Sequence, residues 1–470
     1  MACAVNVRTL EWVRDVLDAS DTLVRSELRD AGGTPWAGAA VDSRGECAGR
    51  LFFAMAGERA DGHLFAIGAY ESGSPAVLVS DPAVLAGLEA RGVPYLLVSD
   101  TRRALTDLAR AFRRHLDARV VAVTGSGGKT TTKEYIRAVL RSKFRVHANP
   151  GNLNSLVGVP LTVLEADEHC EYLVCEVGAN QRGEIDALGE LLRPDVAVIT
   201  NIGDAHVGYF GSRDAIAREK GALLAHLGAN GHAVLPRDDE YYQQLSATVQ
   251  GKVSSFGRST AADFRLANVA FEGGWLSFAV NGEALRLSAV GDYNAVNACA
   301  AFAVGDICGV DARRMREAFM TVRPLPGRGR VHEIRGVVII DESYNASPAS
   351  VKKSLAMLAA LPGGRRIAVL GDMRELGEHA GVLHRAVGAE AAAAGIDRLY
   401  WLGGEGAVVR EAALATRPGF AVELHAEMAG LVDAVAREAR SGDVVLVKAS
   451  RACRLDEFVD GLVAALGGHN

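Results

Sequence analysis

The stretch Val120-Val-Ala-Val-Thr-Gly-Ser-Gly-Gly-Lys-Thr-Thr-Thr-Lys133 constrains this chain more than any other. Val120 to Val123 read as a short buried strand, and helical periodicity takes over from about Thr131 through Leu140. The turn between them, Gly125, Ser126, Gly127 and Gly128, is rich in residues that reach φ > 0 and let backbone N–H groups approach an anion. The helix N-terminus behind it adds partial positive charge. That is a phosphate cradle: Lys129 reaches the β- and γ-phosphates of a nucleotide as a point charge, the Thr130 hydroxyl suits Mg²⁺, and Thr131 continues the first turn. The general P-loop has a glycine five positions before the Gly-Lys pair, where this chain has Val123, so G-S-G-G-K-T is a shortened form.

A strand, a phosphate loop and a helix imply an α/β sheet, and the flanking chain supplies one. From 118 to 323 buried strand runs (Leu173 to Val177, Val196 to Thr200, Ala233 to Leu235) alternate with helices, a doubly wound P-loop sheet. Residues 251 to 290 alternate at period two and predict a small antiparallel β insertion or meander. Gly291-Asp-Tyr-Asn-Ala-Val-Asn-Ala298 then opens an alanine-rich helix. Arg323-Pro-Leu-Pro-Gly-Arg-Gly-Arg330 has the proline and glycine density of a linker. Beyond it, strand runs at 336–341, 365–370, 399–402 and 443–447 predict a Rossmann-like domain. Before 117, strand-like pieces at 49–54, 76–80 and 95–98 and a helix over 101–115 predict a small α/β domain. Three domains, 1–117, 118–323 and 324–470, suit 470 residues at roughly 150 each.

In such sheets ligands gather beyond the carboxyl ends of strands, and there the polar residues collect. Glu176 ends one strand and His206 follows another, a carboxylate and an imidazole near a nucleotide's γ-phosphate. Asn149, Asn152 and Asn154 lie in a turn-rich loop suited to amide contacts with a polar ligand. Asp42-Ser43-Arg44 and the turn-rich loop from Gly57 through Asp61 to His63 are polar clusters, and a hydroxyl beside a guanidinium suits a diphosphate or a nucleotide sugar. Asp341, Tyr344 and Asn345, and then Lys448, Ser450 and Arg451, follow strands of the third domain. The Gly403-Gly404 pair lacks the dinucleotide fingerprint, which argues against NAD.

A net charge of −6 gives no electrostatic case for a nucleic-acid partner. Seven scattered cysteines, never in C-x-x-C spacing, argue against a zinc site or a disulfide framework and suit a reducing compartment. No leader-like segment and no run of about 18 apolar residues occurs, so a cytoplasmic protein without a membrane partner is expected.

Taken in order, T-G-S-G-G-K-T-T-T-K, N-P-G-N-L-N-S-L-V-G-V-P-L-T, E-V-G-A-N, N-I-G-D-A-H, K-G, D-Y-N-A-V-N-A, P-G-R, D-E-S-Y-N-A-S-P, G-D-M-R-E-L-G and V-K-A-S-R resemble the Mur ligase superfamily over nearly the whole chain. The resemblance is strongest to its dipeptide-adding branch. It implies an ATP-dependent ligase that joins D-Ala-D-Ala to UDP-N-acetylmuramoyl-tripeptide through an acyl phosphate, in peptidoglycan precursor synthesis and hence in cell shape and division. The alternative is another amino-acid-adding Mur ligase or a folylpolyglutamate synthase-like enzyme, although no Asp-Asn-Pro-Arg stretch of the diaminopimelate adder is present. The resemblance further implies ATP and two Mg²⁺ ions, and a monomer. Lys129 would hold phosphates; Thr130, Glu176, His206 and a carbamylated Lys220 would serve the metals. Asn294 would meet adenine, and Arg328, Asp341, Tyr344 and Asn345 would meet ATP from the third domain. Asp42, Ser43, Arg44, Gly57, Asp61, His63, Asn152 and Asn154 would bind the UDP-substrate, and Lys448, Ser450 and Arg451 would form part of the closing face. Three positions depart from the family pattern. Ser155 replaces an asparagine and Ala222 an acidic residue, and Ala449 replaces a glycine, which predicts backbone strain after the last strand.

Overall fold

Apolar runs become strands in three sheets of mixed α/β architecture. The structure is a computed structural model describing residues 7–57, 60–204, 207–272 and 274–467. In the first sheet Leu23–Glu27, Tyr95–Val98, Val77–Val79, Arg50–Phe53 and Gly38–Ala40 lie side by side in that order, parallel apart from the antiparallel pair at the Leu23 edge. The second has nine strands in the order Glu283–Leu287, Trp275–Val280, Phe264–Glu272, Lys252–Gly257, His232–Pro236, Val196–Ile199, Arg119–Thr124, Tyr172–Glu176 and Val146–Ala148. The third has six: Arg330–Ile334, Val337–Asp341, Val444–Lys448, Arg366–Gly371, Arg398–Leu402 and Ala421–His425. Among the described residues no helix is long and apolar enough to cross a membrane.

The chain divides into two compact units, Met1–Ala122 with Phe144–Ala179 and Gly183–Asp195, and Val123–Lys143 with Asn180–Arg182 and Val196–Asn470. In the first unit, Phe52, Val77, Val79, Tyr95 and Leu97 share one buried cluster. The helix Thr101–His115 forms as expected: Asp100 caps it by accepting from the Arg103 N–H, and Ala104, Leu105, Leu108 and Phe112 recur at helical spacing on its buried face. Arg113, Arg114 and His115 in its last turn complement the helix dipole.

In the second unit, the third sheet shows how period two is used when both faces are covered. Val445 and Val447 pack with Leu431, Phe458 and Leu462 on one face, while Val444 and Leu446 pack with Leu355, Leu358 and Val387 on the other. Each such side chain contributes roughly 1.5–3 kcal/mol on burial. The strand Val337–Asp341 pairs in parallel with Val444–Lys448, with Asp341 opposite Val447, so Glu342 and Lys448 emerge next to each other. The strand that follows in sequence, Arg366–Gly371, lies on the far side of Val444–Lys448, which makes this the point where the chain's course through the sheet diverges.

Several expectations change. Residues 251 to 290 are not one antiparallel meander: Lys252–Gly257 pairs in parallel with both His232–Pro236 and Phe264–Glu272, and only the last three strands of that stretch are antiparallel. Alternating burial looks the same in either direction, so periodicity alone cannot separate the two. The proline- and glycine-rich linker runs into the edge strand Arg330–Ile334, joined to its partner by Arg335-Gly336, both at positive φ as a tight hairpin turn demands. The P-loop helix starts at Lys129 rather than Thr131, and Lys220 lies inside the helix Arg213–Gly221. Ala449 carries no positive φ; its methyl is buried in the core, so the expected strain is absent.

Candidate active site

The second unit contains a cavity of about 880 Å³ bounded on one side by the phosphate loop. Two glycines set that loop. Gly125 has φ +147°, and a Cβ there would lie 1.9 Å from the Thr200 hydroxyl; Gly128 has φ +76°, and a Cβ would lie 2.5 Å from Asn297 Oδ1. The loop is braced by the strand beside it: Thr200 Oγ1 and Asn201 Nδ2 donate to the Gly127 carbonyl at 2.6 and 2.9 Å, and Asn201 Oδ1 accepts the Gly127 N–H at 3.0 Å. Ser126 Oγ accepts the Gly203 N–H at 2.8 Å. Lys129 Nζ donates to the Gly125 carbonyl at 3.1 Å, curling over the loop. Gly128 is the N-cap of the helix Lys129–Arg141 and offers no side-chain cap, so the amides of the first turn open on an anion site. Thr130 is buried at the base, while Ser126, Gly127, Gly128 and Thr131 line the cavity.

Residues of the Pro-Gly-Arg and Asp-Glu-Ser-Tyr-Asn motifs line the same cavity. Gly327 and Gly329 both take positive φ and set Arg328 out from the turn, its guanidinium 3.9 Å from the Tyr344 ring centroid. The Asp341 carboxylate holds this turn from below, accepting from the Gly327 N–H at 2.7 Å and from Ser343 N–H and Oγ at 3.1 and 2.6 Å. Arg328, Tyr344, Asn345 and Lys448 line the cavity; the carboxylate that joins them is Glu342 rather than Asp341. Burial opposes the Glu342 charge, yet the Lys448 ammonium at 3.3 Å and hydroxyls of Ser354 and Tyr293 hold its carboxyl below the usual range. Burial and the Glu342 charge push the Tyr293 phenol well up in turn. Asn294 also lines the cavity, with its amide donating to Val290 O at 2.7 Å and accepting from Tyr135 Oη at 3.4 Å. Glu342, Tyr293, Asn201 and Asn297 also line the cavity; all four stand inside the motifs quoted above, yet none is picked out as a site residue from the sequence.

Ser450 and Arg451 are not brought to this cavity: Ser450 is buried and accepts the Arg374 N–H at 2.7 Å, and Arg451 pairs with Asp456 at 2.7 Å. Lys220 is 1% exposed in the last turn of its helix. His206 lies outside the described residues. In the first unit, Glu176 is 2% exposed at the end of its strand, and its Oε1 accepts from Asn154 Nδ2 at 2.6 Å. Asn149 brackets the same residue through its backbone N–H and carbonyl, whereas Asn152 is exposed. Arg44 folds back in a two-pronged pair on Asp42 at 2.9 and 2.7 Å, which draws the Asp42 carboxyl down to about 2, with Ser43 between them half-exposed. His63 turns inward, contrary to a direct substrate contact in this conformation: Nδ1 meets Asp61 at 2.6 Å and Nε2 accepts the Ser80 N–H at 2.9 Å. Gly57 donates to the Ala60 carbonyl at the mouth of the same loop. Among the described residues no group of three or more His, Cys, Asp or Glu side chains stands where it could share a metal ion.

Comparison with known proteins matches three family descriptions along the chain: Mur ligase family, catalytic domain, over 37–113; Mur ligase middle domain over 123–305; and Mur ligase, glutamate ligase domain, over 327–451. A UDP-N-acetylmuramoyl-tripeptide–D-alanyl-D-alanine ligase of Bacillus subtilis is 37% identical over 430 residues, 91% of this chain and 93% of that protein. The crystal structure of MurF from Acinetobacter baumannii superposes with a TM-score of 0.84 at 28% identity, covering 97% and 98% of the two chains. MurF ligase from Thermotoga maritima in complex with ADP gives 0.79 at 30% identity, over 91% and 97%.

Proposed function

The chain belongs to the Mur ligase family, and on that premise we propose that it joins D-alanyl-D-alanine to UDP-N-acetylmuramoyl-tripeptide, driven by ATP. Its likeness to dipeptide-adding ligases along nine-tenths of both chains carries this reading. The cavity supports it, because a phosphate loop, an arginine, a lysine and a tyrosine line one space large enough for a nucleotide and a reacting group.

The residues divide the work as follows. Lys129 and the amides after Gly128 take the β- and γ-phosphates, so that the tripeptide's terminal carboxylate attacks the γ-phosphorus against fixed positive charge, breaking the bond to the β-phosphate, releasing ADP and giving an acyl phosphate. The amine of the dipeptide then attacks the acyl carbon, phosphate leaves, and a peptide bond forms. Arg328, stacked on Tyr344, is the cation for the leaving side of the nucleotide, and Asn294 lies where adenine would be read. Asp341 acts by holding the Arg328 turn, Asn345 through its carbonyl to Lys448, and Ser450 by bracing the neighbouring loop. Arg451 is left to an outer face. The Asp42 to Arg44 and Gly57 to His63 loops, with Asn152 and Asn154, are the proposed contacts for the UDP-substrate; for His63 this needs the loop to turn outward. Domains 1–117, 118–323 and 324–470 would carry UDP-substrate, ATP and dipeptide respectively.

The donor chemistry fits magnesium, which takes oxygen ligands. The buried Thr130 hydroxyl, the Glu176 carboxylate already oriented by Asn154, His206, and Lys220 as its carbamate are the residues that would hold two ions. Bound there, magnesium neutralises charge on the transferring phosphoryl group. The reading places the enzyme in the cytoplasm, acting as a monomer.

The deciding measurement is phosphate release from Mg·ATP with UDP-N-acetylmuramoyl-tripeptide, with and without D-Ala-D-Ala, with the product mass checked. Release that needs both substrates, and a product heavier by one dipeptide, is expected. Release that needs a single amino acid instead would move the protein to another branch of the family.

A further inference from the structure

Glu342 is a buried carboxylate on the wall of a nucleotide-sized cavity, and it gathers donors from three separate elements. Tyr293 Oη comes from the helix Asp292–Ile307, Ser354 Oγ from the helix Pro348–Ala360, and Lys448 Nζ from the end of the strand Val444–Lys448. Tyr293 reaches it because the ring folds back over Gly291, where φ is +85° and a Cβ would lie 2.4 Å from a ring carbon. Lys448 reaches it through the strand register that sets Asp341 opposite Val447. A buried ion pair of this kind is commonly no more stabilising than apolar residues of the same size, so stability alone gives little reason for it. An ammonium has three N–H donors. The Asn345 carbonyl at 3.0 Å and Glu342 engage Lys448 from the wall, and Lys448 itself lines the cavity.

We infer that Glu342 is a positioning residue: anchored by Tyr293 and Ser354, it fixes the Lys448 ammonium at the cavity wall to receive an anionic group of a substrate, either a phosphate of the nucleotide or the carboxylate of the incoming dipeptide. This rests on the ligase reading above. Glu342 itself touches no reacting atom. Its lone pairs face Tyr293, Ser354 and Lys448, and its charge sets where the ammonium stands rather than accepting a proton.

The test is steady-state kinetics of the full chain, varying ATP, UDP-substrate and dipeptide separately, for wild type, Glu342→Gln, Lys448→Met and the double variant. Each single change should raise the KM of one and the same substrate by about thirtyfold or more, the range for breaking a buried charge pair at a binding site. The double variant should be no worse than the poorer single one. A shift in the ATP KM assigns the anion to a phosphate, and a shift in the dipeptide KM assigns it to the carboxylate. The inference is overturned if folded Glu342→Gln keeps every KM within about twofold, or if the two losses multiply in the double variant. Should Glu342→Gln fail to fold, Tyr293→Phe decides: it keeps the carboxylate, removes one of its donors, and should raise the same KM about threefold to tenfold, so an unchanged KM refutes the anchoring. A wild type that does not ligate the dipeptide would strike the ligase reading, whereas an active wild type with an indifferent Glu342→Gln would strike this inference alone.

Discussion

Two helices begin at the same cavity and finish their N-termini in opposite ways. The helix Lys129–Arg141 starts from Gly128 at φ +76° with no side-chain cap, and Gly127, Gly128 and Thr131 open onto the cavity. The helix Pro348–Ala360 starts from Ser347 with Pro348 at its first position, and Ser347 and Ser350 cap each other's backbone N–H groups. The first four amides of any helix lack intrahelical partners, and an anion or a side chain can satisfy them. One helix leaves them open and the other has used its own serines. On the proposed reading the phosphates sit at the uncapped start. Recognition in the rest of the cavity is then left to side chains: the Arg328 guanidinium on Tyr344 and the Glu342–Lys448 pair.

The largest effect should come from Lys129→Ala, which removes the cation that curls over the phosphate loop at the start of the uncapped helix. Losing such an electrostatic group costs on the order of 10²–10³-fold in turnover, read as ADP formation. The melting temperature should stay close to wild type, and so should calorimetric binding of the UDP-substrate. If Lys129→Ala also abolished UDP-substrate binding, the two ligands would not be held by separate residues as proposed.

The contrast between the two helix starts also explains what could be read without coordinates. The phosphate loop is legible because its chemistry lies in consecutive residues: three glycines, a lysine and a threonine after an apolar run name both the backbone geometry and the ligand. Glu342 and Lys448 stand 106 positions apart, and only the parallel register of their strands puts them together. The motifs containing Tyr293 and Glu342 are visible in the sequence, but which side chain of each turns to the cavity is not, and position after the strand favours Asp341 over its neighbour. Asp341 instead spends its oxygens on Gly327 and Ser343. In the same way His63 is polar and sits in a loop, the usual mark of a contact residue. Its burial against Ser80 depends on a strand end 17 residues on.

A smaller effect is expected from Gly128→Ala, which tests the backbone half of the uncapped start. A non-glycine residue in the left-handed region costs roughly 1–2 kcal/mol, and the added methyl would meet Asn297 Oδ1 at 2.5 Å. Either relief of that overlap moves the loop amides from their aim. ATP affinity, measured by calorimetry, should fall by about tenfold or somewhat more. Unchanged affinity would mean that the cradle depends on Lys129 and not on the loop's shape.

The smallest effect belongs to the capped helix and decides whether the contrast is real. In Ser347→Ala the hydroxyl that accepts the Ser350 N–H is lost. That bond is long, at 3.4 Å, while the reciprocal one from the Ser347 N–H to Ser350 Oγ, at 2.9 Å, survives. The cost should therefore lie at the low end of the capping range, about 0.5–1 kcal/mol, a fall of about 1–3 °C in melting temperature. Ser350→Ala removes the shorter bond and should cost at least as much. Neither change should alter ATP affinity by more than about twofold, because these amides serve the helix and not the ligand. A Ser347→Ala variant that lost ATP binding as Gly128→Ala does would show that the second helix start also faces phosphate, and the phosphate site would then have to be assigned afresh.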